Sequence, residues 1–319
     1  MGVRNLSTSS IATGAKRSKV WDQSAAFAYR GVFGGGYAGS VTAVIDYINI
    51  ASTGNATSFG SLSSARRYNA SCSSSTRGLW LGGITTTQVA TIDYVTLATT
   101  GNATAFGSIT SNRSSMAGCG SSTRGTIGGG WNGSADVANI DYVTIATTGN
   151  ATNFGNITAA RNPVGSASST TRGLFSGGGI GGSAVIDYIT IASTGNGTAF
   201  GNLTVARGYN AGLSNATRAI FSGGITTPSI TYVNTIDYIT IATTGNATTF
   251  GTLSTTLADA GACASPTRGV IAGGYANNSA DTTNMQYVTI ATTGNSTTFG
   301  NATVARDAFG GCSDSHGGL

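Results

Sequence analysis

Sixteen basic residues, eleven acidic residues and one histidine limit the chemistry open to this 319-residue sequence. His316 is that single histidine, so Ser-His-Asp triads and histidine-rich metal sites are both removed. All the acids are aspartates. Five stand in register at Asp46, Asp93, Asp141, Asp187 and Asp237, with Gln286 in the sixth place, at steps of 47, 48, 46, 50 and 49 residues. Paired carboxylates for glycoside hydrolysis would break such a repeat rather than follow it. Two arginine columns keep the same period: Arg66, Arg113, Arg161, Arg207 and Arg306, and Arg30, Arg77, Arg124, Arg172, Arg218 and Arg268. The expectation is therefore structural pairing of aspartate with arginine, or a turn hydrogen bond. Asp136, Asp259, Asp281, Asp307 and Asp314 fall outside the column, and none has a recognisable catalytic neighbour. Paired glycines recur at Gly34-Gly35, Gly82-Gly83, Gly129-Gly130, Gly177-Gly178, Gly223-Gly224 and Gly273-Gly274, but no Gly-x-x-x-x-Gly-Lys-Ser/Thr phosphate loop occurs. The sequence reads as non-enzymatic, with no cofactor and no metal.

Cys72, Cys119, Cys263 and Cys312 share one column with Ala25, Ala167 and Leu213, which marks a small buried apolar position and predicts free thiols. Asn55, Asn102, Asn150, Asn196, Asn246 and Asn295 each open an Asn-x-Thr pattern, read first as turn residues and only second as glycosylation acceptors. The net charge of +5 invites a nucleic-acid reading, yet eleven of the sixteen basic residues belong to the two columns. Columns spread over a repeat are no basic groove, so nucleic acid is not expected as a partner. Nor is membrane insertion, since no stretch approaches the roughly 20 apolar residues of a spanning helix.

A period near 48 residues marks a repeat architecture, and it covers almost the whole chain. The spacing from Asp to Phe is always 13 residues (46 to 59, 93 to 106) and from Phe to the first arginine position always 7. Only the connection between the Gly-Gly run and the next Asp varies in length. Within one repeat, Arg172 to Gly178 is a short apolar run, Ile186 to Ile191 alternates with period two, and Phe200 to Thr204 follows a Thr-Gly-Asn turn that predicts a tight hairpin. A last strand is expected from Arg207 to about Ser214. Four short antiparallel strands per repeat predict an all-β fold, a β-propeller of four-stranded blades. The chain ends on an extra strand, Arg306 to Ser313, placed to pair with Arg30 to Gly36 and close six blades. An open solenoid, or seven blades built with residues 19 to 28, is the alternative. Domain limits follow as 1–29 for an N-terminal docking or leader segment and 30–319 for the propeller.

The apolar run ending in Gly-Gly, the Tyr after a variable connection, the later aromatic and the following Arg resemble kelch repeats from about residue 30 to 319, with Phe in place of the kelch Trp. The near-identical Ile-Asp-Tyr-Ile-Thr-Ile-Ala-Thr-Thr-Gly-Asn-Ala-Thr runs are similar to those of virion proteins of tailed bacteriophages, cyanophages especially. That second resemblance implies a structural or adhesion protein of the particle, in a tail fibre, appendage or capsid decoration. Its implied partners are other virion proteins and a host-surface glycan, and homo-oligomerisation on the particle fits the same placement. The alternative is a secreted or cell-surface lectin-like or filament-forming propeller of bacterial origin. A glycan-cleaving propeller would need a carboxylate cluster in one pocket.

Candidate ligand-binding residues come from the elastic connection: Tyr37, Trp131, Asn132, Asp136, Tyr232, Tyr275, Asn277 and Asn278. Aromatics cover the apolar faces of sugars while Asn and Asp take hydroxyls, and variable loops on a constant scaffold carry function. Lys16, Arg17, Lys19 and Trp21 form the one non-repetitive cluster of charge and are the candidate docking residues.

Overall fold

The computed structural model describes residues 29–315, which form strands and turns with no helix. Six four-stranded antiparallel sheets carry the repeat. In one, Ala70–Ser73, Arg77–Ile84, Gln88–Thr96 and Thr104–Ser108 lie side by side in chain order. The same sequence of a small-residue strand, an Arg-Gly strand, a Tyr strand and a Phe-Gly strand recurs in the sheets that start at Ala117–Gly120, Gly165–Ser168, Ala211–Ser214 and Gly261–Ala264. The remaining sheet is made from both ends of the described chain. Gly310–Ser313 pairs with Arg30–Gly34 in the register Gly31↔Ser313 to Gly34↔Gly310, and Val44–Asn49 and Thr57–Ser61 complete it.

The local sequence dictates these strands. Ile-Asp-Tyr-Ile-Thr and its variants alternate β-branched with polar residues, and the apolar members are buried on both sides of each sheet. Every Tyr–Phe strand pair slips register at the Ile–Asp step or its equivalent Met285–Gln286: Ile45 faces Gly60 but Asp46 faces Ser58, leaving Phe59 as the extra residue of a bulge. Phe59 goes into the core and meets Tyr47 edge to face at 6.0 Å, a pair repeated as Tyr94–Phe106, Tyr142–Phe154, Tyr188–Phe200, Tyr238–Phe250 and Tyr287–Phe299. The second arginine column lies over the other side of the same tyrosines, as with Arg77 at 4.6 Å from the Tyr94 centroid.

Two expectations are corrected. Thr-Gly-Asn does not make a tight hairpin: residues 191–197 form a longer connection whose Gly195 N–H reaches Phe154 O of the neighbouring sheet at 2.8 Å. The small-residue strands are also shorter than expected, Ala211–Ser214 instead of starting at Arg207 and Gly310–Ser313 instead of starting at Arg306. A residue with positive φ, Tyr209 or Ala308, breaks the extended chain just before each one.

Apolar contacts join consecutive sheets. Val32, Ile45, Phe59 and Cys312 of the sheet containing both chain ends pack with Trp80, Val95 and Leu97 of the next. Phe33, Ile48 and Ile50 of that first sheet pack equally with Cys263, Val270 and Met285 of the last. Volumes are matched across these contacts. A methyl group on Gly78 would collide with Cys312 Sγ, and one on Gly125 with Cys72 Sγ, whereas Ala219 is accommodated where the preceding sheet has only Ala167. All four cysteines are buried and unbonded. Residues of all six small-residue strands, among them Ser71, Gly118, Ser166, Gly212, Gly261 and Gly310, line one narrow cavity of about 50 Å³.

Candidate functional site

The repeated polar residues are occupied in holding sheet to sheet. Arg66 meets Asp93 at 3.0 Å, Arg161 meets Asp187 at 2.8 Å, Arg207 meets Asp237 at 2.9 Å and Arg306 meets Asp46 at 3.2 Å, while Arg113 pairs with Asp141. The aspartate–arginine pairing expected within a repeat thus occurs between neighbouring repeats. Ser63, Thr110, Thr158, Thr204 and Thr303 donate their hydroxyls to the same carboxylates. Burial lowers the guanidinium pKa of Arg66, Arg113, Arg207 and Arg306, and the facing aspartate opposes that shift in each case. At the sixth junction both charges are replaced together: Leu257 stands in the arginine position and Gln286 in the aspartate position, where its Oε1 accepts from Ser254 and Ser296.

The Asn-x-Thr residues work in the same way. Asn102 Oδ1 accepts the N–H of Ser61, Asn150 that of Ser108, Asn196 that of Asn156, and Asn55 that of Asn301, at 3.0–3.1 Å. The second arginines also cross between sheets, as Arg77 does to Ile145 O at 3.0 Å and Arg268 to Ile50 O at 3.1 Å. These columns are therefore unavailable as a catalytic or phosphate-binding set.

What departs from the repeat collects beside the ends of the small-residue strands. Tyr68, Ser115, Tyr209, Asp259 and Ala308 occupy equivalent positions, each with φ between +53° and +56°, and Pro163 takes the sixth. The Ser115 N–H donates to Tyr68 O, Tyr68 N–H to Ala308 O, Ala308 N–H to Asp259 O and Asp259 N–H to Tyr209 O, at 2.7–3.0 Å. Proline has no N–H to continue the series, and Tyr209 N–H turns instead to Gly178 O. Left-handed backbone at a tyrosine is costly and persists only where surroundings impose it. Here this open run of hydrogen bonds holds it, and Tyr68 and Tyr209, from repeats distant in sequence, come into contact at 6.2 Å.

Around this pair lie the residues of the elastic connections. Trp131 exchanges backbone hydrogen bonds with Ser114. Its side chain, with Tyr68, Tyr209, Ile84, Ile180 and Asp136, lines a cavity of about 350 Å³. Tyr232 and Tyr275 face each other at 5.6 Å. Tyr37 is tied through its backbone to Asp307, and its ring lies 4.7 Å beneath the Arg67 guanidinium, which also covers Tyr68 at 5.3 Å. Asn132 is spent on its own turn, accepting from Ser134 and Ala135. Asn277 and Asn278 supply two left-handed turn residues, and Asn277 accepts from Thr256. The geometry thus unites Trp131 with Asp136 and Tyr232 with Tyr275, and assigns the three asparagines to turns. Lys16, Arg17, Lys19, Trp21 and His316 lie outside the described residues.

The carboxylates here are unlike those of the repeated column. Asp259 is pushed well above the usual carboxylate range, first by burial, then by Asp307 and Asp281, with Arg67 opposing. Asp307 is raised to about 7 by burial and Asp281, again against Arg67. One carboxylate oxygen of each, Oδ1, is out of water and without a hydrogen-bond partner. Burial also raises Asp136 and Asp281, and pushes Tyr209 up to about 12. Among the described residues, no three His, Cys, Asp or Glu side chains converge as a metal site.

Sequence reading missed Arg67, Tyr68, Tyr209, Asp259 and Asp307 as parts of one site. The available signal was the two residues after each first-column arginine position: Arg67-Tyr68, Ser114-Ser115, Asn162-Pro163, Gly208-Tyr209, Ala258-Asp259 and Asp307-Ala308 differ widely between otherwise similar repeats. Neither a protein-family model nor a curated protein sequence matches the chain.

Proposed function

We propose that the six sheets are the blades of a closed kelch-like propeller that serves, without catalysis, as a structural and adhesion protein of a tailed-phage particle. Its mouth, at the ends of the small-residue strands, presents a binding surface for host glycan. One observation carries the binding part: residues that break the repeat, Tyr68, Trp131, Asp136 and Tyr209 among them, line one aromatic-walled cavity of about 350 Å³, while the repeated polar residues are consumed between sheets. Selection for folding alone explains the repeated columns. It gives no reason to place Trp131, Tyr68 and Tyr209 on partly exposed positions around a cavity. Such a cavity suits a sugar, whose C–H faces stack on aromatic rings while its hydroxyls meet Asp136 and Asn162. The particle assignment rests on the resemblance of the repeats to virion proteins.

Both halves are open to test. Replacing Trp131 or Tyr275 with Ala should weaken adsorption to host cells, or retention on a glycan array, by about fivefold, since an aromatic contact is worth about 1 kcal/mol. The melting temperature should hardly change, because loop substitutions of this kind cost about 0.5 kcal/mol or less. Parent-like binding by both variants removes the receptor-binding half. Absence of the chain from purified virions, measured by mass spectrometry, removes the particle assignment.

A further inference from the structure

The mouth combines aromatic faces with carboxylates, and the charge balance there is the reverse of that of the whole chain. The chain carries a net +5, yet all eleven column arginines and all five column aspartates are bound to partners in a neighbouring sheet or stacked on tyrosines. Among the described residues, what remains at the mouth is Asp136, Asp259, Asp281 and Asp307 against the one cation of Arg67. Arg67 also indicates what these tyrosines accept, since its guanidinium lies over Tyr37 and Tyr68. Among the described residues, no cation covers Tyr209, Tyr232, Tyr275 or Trp131.

We propose that the mouth selects a sugar bearing a free, protonated amine: the sugar ring stacks in the cavity walled by Trp131, Tyr68 and Tyr209, and the ammonium lies among the aromatic faces and the carboxylates of Asp136 and Asp259. This rests on the glycan reading above and narrows it to a charge class. Three features favour an organic ammonium over other occupants. The Oδ1 atoms of Asp259 and Asp307 are buried acceptors without donors, and an ammonium offers three donors. A second, smaller chamber of about 20 Å³ is lined by Asp259 and shares Tyr68 and Ser115 with the main cavity, which is room for one group the size of water or ammonium. The carboxylates do not converge on one point as metal ligands do. Asp259, Asp281 and Asp307 already disfavour one another's charge, so an acidic sugar would add negative charge where it is least tolerated, and an N-acetylated one would leave the buried Oδ1 atoms facing a bulky neutral amide.

The test compares chitosan oligomers with fully N-acetylated chitin oligomers of the same length, using the full chain near neutral pH, where the ammonium of the sugar and the carboxylates of the cluster both retain charge. Chitosan should bind at least about tenfold more tightly, as expected for a partly desolvated cation–π and carboxylate contact. Asp136→Asn and Asp259→Asn should each remove most of that preference; Asn tolerates the left-handed backbone at position 259, so the fold is kept. Spermine, which has amines but no sugar ring, should bind far more weakly than chitosan. Equal affinity for chitosan and chitin, preference for chitin or for an acidic glycan, or spermine binding as tight as chitosan each overturns the charge-selective site while leaving glycan binding intact. No binding to any oligosaccharide of an array overturns this inference together with the reading beneath it.

Discussion

Asp307 shows how a single side chain at the mouth sets a cost on the fold. Its carboxyl lies among Asp259, Asp281 and Arg67, and burial with the negative neighbours outweighs the guanidinium, raising its pKa to about 7. In an unfolded chain the same group titrates near 3.9. Between those values the folded protein keeps a proton that the unfolded chain has lost, so stability falls as pH rises through the window and levels off above about 7. Asp259, shifted in the same direction by the same causes, adds to the trend. Asp307→Asn removes one contributor. Thermal melts across that pH window should therefore show a shallower decline for the variant than for the parent; parallel curves would mean that Asp307 ionises freely in the folded protein.

The sheets are joined by a latch that the chain builds in two chemistries. Five junctions bury an arginine–aspartate pair, and one uses Leu257 with Gln286. Losing one member of a buried pair leaves a charge without compensation and costs about 3–5 kcal/mol, whereas replacing both can be neutral. Arg207→Leu alone should lower the unfolding free energy by about that amount. Adding Asp237→Gln, which copies the neutral junction, should restore most of the loss in a double-mutant cycle by denaturant unfolding. Additive losses would show that the pair is not acting as a unit. The glycine of each Phe-Gly pair belongs to the same junction: a Cβ on Gly60 would strike Gly101 O of the following sheet, and one on Gly300 would strike Gly54 O of the first. These strands need glycine because another backbone arrives there.

At the scale of the molecule, the two ends of the described chain share one sheet. Gly310–Ser313 covers the edge of Arg30–Gly34, Ser71 and Ser73 donate hydroxyls to Gly311 O and Ser313 O, and Arg306 neutralises Asp46. Deleting 306–319 should uncover a strand edge and leave a buried carboxylate alone, giving aggregation and loss of a single cooperative transition. Size-exclusion chromatography and thermal melting would report it. A truncated chain that remains monomeric and melts like the parent would remove the proposed closure.

The period of the sequence determined the sheets, because a pattern repeated every 46 to 50 residues imposes the same local strand and turn preferences each time, and alternation in Ile-Asp-Tyr-Ile-Thr fixes which face is buried. It also foretold that the C-terminal strand meets the strand at Arg30, that the cysteine column is small and buried, and that column aspartates pair with arginines. It did not reveal that those pairs cross from one repeat to the next, nor that the Thr-Gly-Asn turn reaches into the neighbouring sheet, since a periodic sequence is the same whether a partner lies within a repeat or one repeat away. The mouth was the least legible part. Tyr68 touches Tyr209, and Asp307 senses Asp281 and Arg67, only because successive sheets bring the ends of their small-residue strands together. Such contacts depend on where whole sheets are set, and no spacing along the chain encodes them.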